Sequence, residues 1–158
     1  NFFDVDNIIR IGSAGGMCDK VKVRDIVIAQ GACTTSRYSH TFNLPGDFAP
    51  ISDFTVLRTT VKKAEELGIK YEVGNVLSSD VFYGDTPELS ANWQKMGVLA
   101  VEMEAAALFM NAARAGKKAL AILTVSDHLL TGESLSSDDR QNSFTDMMKL
   151  SLEVAISL

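Results

Sequence analysis

The sequence predicts an α/β fold: a mixed, largely parallel central sheet flanked by helices. Three observations carry that prediction. Strand-like apolar runs alternate with helical stretches through the second half, the pattern that builds parallel sheets from βαβ units. The run Ala119-Leu120-Ala121-Ile122-Leu123-Thr124-Val125 has the near-continuous apolar character of a strand buried on both faces. The chain has 158 residues, 46% hydrophobic and 22% charged, which is the size and balance of one ordinary globular domain.

The elements follow in order. Asn7 to Ile11 reads as a short strand, with Gly12-Ser13-Ala14-Gly15-Gly16 as a turn after it. Asp25 to Ala29 reads as a second strand. It follows the first too closely for a helical crossover, so this region is a hairpin or a mixed-sheet piece. Thr34 to Pro50 is a long, polar and aromatic loop, of the kind that forms function or interface. Ser52 or Asp53 caps a helix running to about Leu67, with Phe54, Leu57, Val61 and Ala64 as its apolar stripe and Gly68 at its end. Tyr71 to Ser79 is a strand, and Val81-Phe82-Tyr83-Gly84 leaves it. A short helix follows Pro87, Val98 to Val101 is a strand, and Glu104 to Ala115 is an alanine-rich helix closed by Gly116. The strand 119–125 comes next, then a polar loop from Leu129 to Ser137. One last helix runs from Asp138 to about Leu158, with Phe144, Met147, Met148, Leu152 and Ala155 on one face.

The formal net charge is −5, which argues against a broad nucleic-acid or anionic-membrane surface and leaves room for a small anion held by one or two arginines. No apolar run has the length of a membrane span, and the sequence shows no signal-peptide pattern. Cys18 and Cys33 lack CxxC spacing and read as small packing residues in a reducing cytoplasm. His40 and His128 do not cluster with them, so no metal site is expected. The opening Asn1-Phe2-Phe3 turns strand-like almost at once, whereas a first strand of a βα fold ordinarily has partners before it. The sequence therefore reads as a piece of a longer chain.

Four constellations carry chemistry. Arg10-Ile11-Gly12-Ser13-Ala14-Gly15-Gly16 offers exposed backbone N–H groups, a hydroxyl and a guanidinium suited to phosphate; it reads equally as a tight turn with a surface charge. Val101-Glu102-Met103-Glu104 places two carboxylates at a strand-to-helix junction. They suit the hydroxyls of a sugar and positive charge on its ring, or simply a helix N-terminus. Ser126-Asp127-His128 stands at the carboxyl end of the apolar strand, where α/β proteins place their ligands, with Arg140 downstream to orient the acid. The alternative is a strand-end turn. Adjacent residues cannot form a Ser-His-Asp relay, and no nucleophile elbow is present. Phe82-Tyr83 at a strand end suits stacking on a flat heterocycle, or ordinary packing.

In this order the constellations resemble the high-molecular-mass, bacterial-type purine nucleoside phosphorylases of the nucleoside phosphorylase superfamily. The resemblance rests on Arg10-Ile-Gly-Ser13, Gly15, Asp47-Phe48-Ala49, Asp53-Phe54, Val73-Gly74-Asn75, Phe82-Tyr83, Val101-Glu-Met-Glu-Ala-Ala106, Thr124-Val-Ser-Asp-His128 and Arg140-Gln141. Met-Glu-Ala-Ala is shared across the superfamily; Val-Ser-Asp-His with the later Arg140 is more specific. The resemblance makes residues 1–158 one domain, the C-terminal two-thirds of the family fold. It implies reversible phosphorolysis of a purine nucleoside to free base and pentose 1-phosphate. Arg10 and Ser13 would hold phosphate, the co-substrate, and no metal or organic cofactor is implied. Met103 and Glu104 would hold the ribose with Glu102 in support. Ala14, Gly15, Phe82, Val101 and Ser126 would line the base pocket. Asp127 would protonate purine N7, assisted by Arg140. It also implies a cytoplasmic hexamer, a trimer of dimers with shared active sites, with Tyr38 to Pro50 near a neighbour. Further phosphate-binding elements and a histidine lent by that neighbour would lie upstream of residue 1. A methylthioadenosine/S-adenosylhomocysteine-type nucleosidase is the hydrolytic alternative, since its members share the Ser-Ala-Gly-Gly turn. Arg10 and Arg140 favour the phosphorylase. A non-catalytic nucleoside-binding chain is the alternative of another class.

Overall fold

The computed structural model describes residues 3–83, 87–142 and 144–158, without the side chains of residues 87, 89 and 140–142. Its centre is a five-stranded sheet closed into a barrel in the order β1-β4-β3-β2-β5. The strands are β1 (Asn7–Gly16), β2 (Ile26–Thr34), β3 (Tyr71–Ser78), β4 (Ala100–Glu102) and β5 (Lys118–His128). Pairing is parallel for β1/β5, β2/β3 and β3/β4 and antiparallel for β1/β4 and β2/β5, so the sheet is mixed and largely parallel, as expected. The sheet also closes into a barrel, which the expectation of a central sheet flanked by helices does not include. Nor do β1 and β2 form a hairpin: β5 runs between them, parallel to one and antiparallel to the other.

The expected turn at Gly12 to Gly16 is strand. It pairs with β5 through to Gly16↔His128, with a bulge between Ala14 and Gly15. Its glycines mark close approach rather than chain reversal. A Cβ at Gly12 would lie 2.9 Å from Arg10 Nη1, and one at Gly16 would lie 2.7 Å from His128 Cδ2. β5 likewise continues past Val125, so Ser126, Asp127 and His128 sit on the strand itself rather than beyond it. β2 runs five residues past its expected end at Ala29, to Thr34, and β4 begins and ends later than Val98 to Val101.

Alternate residues of β5 face different helices. Ala119, Ala121, Leu123 and Val125 pack with Phe109 and Met110 of α3 (Ala105–Arg114). Leu120 and Ile122 pack with Val56 of α1 (Phe54–Leu67) and with Met147, Leu150 and Val154 on the other side of the sheet. Both faces are covered, which explains the unbroken apolar run.

α1 starts and stops as its signals predict: Asp53 accepts the Val56 N–H at 3.0 Å, and Gly68 closes it with φ 65°. Its expected stripe is rotated, because Val56, Thr60 and Ala64 are the buried set. Phe54 is 70% exposed beneath the Arg58 guanidinium. α2 (Pro87–Lys95) follows Pro87 as expected. The loop 34–50 holds one 3₁₀ helix, Tyr38–Phe42. The single last helix is instead two, α4 (Ser137–Asn142) and α5 (Thr145–Ala155). The restart shifts the helical phase, so Met147, Leu150, Ser151 and Val154 face inward while Met148, Leu152 and Ala155 are exposed. Among the described residues no helix is long and apolar enough to cross a membrane.

Candidate active site

A cavity of about 330 Å³ opens where β1 and β4 close the barrel. Arg10, Ser13, Ala14 and Gly15 line it from β1, and Ser79, Val81 and Phe82 from the segment after β3. Val101 and Glu102 of β4, Met103 and Glu104 of the step into α3, and Ser126, Asp127 and Leu129 at the end of β5 complete it. Every residue that the resemblance assigns to phosphate, sugar or base lines this cavity, whereas Tyr83, singled out beside Phe82 for stacking, does not. Asp127 lies there too, while the side chain of Arg140, on α4, lies outside the described residues.

Among the described residues, Arg10 is the cation of the cavity. Its Nη2 donates to the Glu104 carboxylate and lies 3.5 Å from Glu102 Oε2. Its Nη1 is buried against Gly12 and bonds to no described residue, a donor of the fork without a partner among them. Glycine at position 12 gives the guanidinium its room.

The two glutamates differ in environment. Glu102 is buried, with a side chain 1% exposed. Its Oε1 accepts the Ser78 hydroxyl, and its Oε2 accepts the N–H groups of Glu104 and Ala105, each at 2.9 Å. Glu104 stands at the N-cap position of α3 yet makes no side-chain cap; its carboxylate, 58% exposed, turns to Arg10. An exposed carboxylate suits the hydroxyls of a ligand, and a buried, saturated one suits support.

At the β5 end, Ser126 Oγ donates to Asp127 Oδ1 at 2.7 Å. A Cβ at Gly15 would lie 3.1 Å from Asp127 Oδ2 and 3.3 Å from Val101 Cγ1, so the acid sits directly over the bare backbone of β1. His128 faces the other way. It is buried, and its Nε2 donates to the carbonyls of Cys18 and Val21 at 3.1 Å while Nδ1 accepts the Leu130 N–H. It anchors the loop after β1 and takes no part in the cavity. Phe82 is 71% exposed at the rim, edge-to-face with Tyr83.

Sequence reasoning missed Ser79, Val81 and Leu129 in the lining and Ser78 beneath it. The available signal was position: each stands within two residues of a predicted strand end or a singled-out motif. The arrangement combines an anion-binding fork, a carboxylate at the mouth, apolar walls and an acid at a strand end.

The profile described as Phosphorylase superfamily matches residues 2–158. A "Purine nucleoside phosphorylase DeoD-type" of Shewanella loihica is 49% identical over 156 residues, covering 99% of this chain and 66% of that protein. The protein of the same name from Tolumonas auensis is 51% identical over 151 residues, 96% of this chain and 64% of its own. A "Purine nucleoside phosphorylase DeoD-type 2" of Vibrio cholerae is 49% identical over 156 residues, again 66% of its length. The chain thus spans just under two thirds of the length of these curated relatives. By the match over nearly its whole length, the chain belongs to the phosphorylase superfamily.

Proposed function

We propose that the full-length protein catalyses reversible phosphorolysis of purine ribo- and deoxyribonucleosides, giving free base and pentose 1-phosphate. The observation that carries this reading is the single cavity holding the Arg10 fork, the exposed Glu104 carboxylate and Asp127 together. The names of the relatives support it.

In this reading Arg10 and Ser13 bind phosphate. Met103 and Glu104 hold the sugar, backed by Glu102, and Ala14, Gly15, Phe82, Val101 and Ser126 border the base. A phosphate oxygen forms its bond to C1′ as the bond from C1′ to N9 breaks, through an oxocarbenium-like transition state. The Glu104 carboxylate and the phosphate stabilise the cationic sugar. Asp127, with Arg140, delivers a proton to N7 as the leaving purine becomes more basic, which is when general acid catalysis is most effective. The same acid serves 6-oxo and 6-aminopurines. The reaction calls for no metal or organic cofactor. A cytoplasmic hexamer, a trimer of dimers with the loop 34–50 near a neighbour, belongs to the same reading; a monomer in analytical ultracentrifugation at working concentration would contradict it.

The test is base release from inosine and adenosine with and without phosphate. Phosphate-dependent release with formation of pentose 1-phosphate is expected. Equal release without phosphate would replace the reading by hydrolysis, and nucleoside binding in calorimetry without turnover would replace it by a binding protein.

A further inference from the structure

We infer that Ser78, the last residue of β3, is a positioning residue that releases Glu104 from helix capping so that its carboxylate can face the cavity. The inference rests on the proposed phosphorolysis for what Glu104 does, and on geometry alone for how it is held.

The first N–H groups of a helix have no partner within the helix, and a side chain at the N-cap position ordinarily satisfies one. Glu104 occupies that position in α3 but does not serve it. Two other residues do the work. Glu102 Oε2 accepts the N–H groups of Glu104 and Ala105, and Ser78 Oγ accepts that of Ala106, all at 2.9 Å. The Ser78 hydroxyl then spends its one proton on Glu102 Oε1. β3 and β4 are in register at Ser78↔Glu102, so the serine approaches from the neighbouring strand, and it is buried there at 4% exposure.

The consequence is a division of labour. A carboxylate has about four acceptor directions, and those of Glu102 are taken by Ser78, two backbone N–H groups and the nearby Arg10. With the N–H groups of residues 104–106 satisfied by others, Glu104 has Arg10 as its neighbour and the cavity before it. Without the Ser78 hydroxyl, Ala106 N–H and Glu102 Oε1 each lose a partner in a buried place. Glu104 is then the nearest acceptor able to turn back over the open N–H groups, which draws it away from the cavity.

The test uses Ser78→Ala in the full-length protein. Losing one hydrogen bond to a charged group is worth about tenfold, so kcat/KM for adenosine is expected to fall about tenfold, since Glu104 both holds the sugar and stabilises its cationic transition state. The same substitution in a Glu104→Gln background is expected to add little, because the residue through which Ser78 acts is already disabled. An unchanged kcat/KM, or a full penalty that persists beside Glu104→Gln, overturns the inference. Amide exchange at Ala106 gives a readout independent of turnover: it is expected to be faster in Ser78→Ala combined with Glu104→Ala than in Ser78→Ala alone, where Glu104 has turned back over the open N–H, and equal exchange in the two overturns the inference. A wild-type protein that cleaves no nucleoside would sink the proposed reaction alone, and the exchange measurement would still decide the role of Ser78. Should Ser78→Ala fail to fold, Ser78→Cys, nearly isosteric with a weaker donor, is read by the same two measurements.

Discussion

Asp127 reaches the cavity because Gly15 has no side chain. The two residues are register partners across the β1–β5 bulge, and Ser126 fixes one carboxylate oxygen while the other hangs over Gly15. A methyl group at position 15 would stand 3.1 Å from Oδ2 and 3.3 Å from Val101 Cγ1, so the acid and one cavity wall would both have to give way. Gly15→Ala is therefore expected to lower kcat by roughly tenfold or more, the scale of a misplaced catalytic group, with a smaller effect on thermal stability. Steady-state kinetics beside a melting curve check this. A kcat equal to wild type would mean that the bulge absorbs the methyl group and that the close approach has no part in aiming the acid. Arg10 obeys the same logic at Gly12, where the absent side chain is what lets the guanidinium lie against its own strand.

The short helix α4 is tied to the barrel by a charged contact. Arg24, in a left-handed conformation with φ 77°, donates to Asp139 Oδ1 at 3.2 Å, and the Ser136 hydroxyl donates to Oδ2 at 2.8 Å. The Ser136 hydroxyl first, and the Arg24 guanidinium after it, hold the Asp139 carboxyl below its ordinary range. A carboxyl depressed in the folded state contributes stability above its unfolded pKa of about 4, and that contribution is lost as pH falls through the folded value. The wild type is thus expected to melt slightly higher than Asp139→Asn near neutral pH, with the difference closing on acidification. A difference constant with pH would exclude the carboxylate as its source. Both side chains are about half exposed, so the effect also weakens with added salt. Elements such as α1 were legible because their signals are local: an Asp before the first turn, a Gly after the last. The break before α5 was not, since Phe144 continues the apolar pattern and only the buried set Met147, Leu150 and Val154 reveals the new phase. The glycines of β1 misled for a related reason, because the side chains that need their space, Arg10 and His128, lie on the same strand or on one more than a hundred residues away.

Closure of the barrel is the property least accessible to sequence reasoning. It depends on β5 entering between β1 and β2 and on β1 meeting β4 through Gly15↔Val101 and Gly16↔Ala100. The site was more legible than the topology, because strand ends can be read locally and the barrel only has to bring them together; Ser78 escaped because its role exists only once β3 and β4 are aligned. Gly16 tests how far the whole molecule depends on this closure. A Cβ there would lie 2.7 Å from His128 Cδ2 and 3.2 Å from Val125 Cγ1. The imidazole cannot swing aside cheaply, since its Nε2 is bonded to the carbonyls of Cys18 and Val21 in a buried place. Gly16→Ala is therefore expected to cost about 1–3 kcal/mol, the usual range for overpacking a core, and to lower the melting temperature of the molecule as one unit. Gly46→Ala, at a position with nothing within 4 Å, is the control and should melt close to wild type. If the clash with the ring is the cause, Gly16→Ala costs much less beside His128→Ala than alone, and calorimetry on the four proteins measures that coupling. Equal costs in the two backgrounds would place the strain elsewhere, at Val125 or in the backbone of the closing pair.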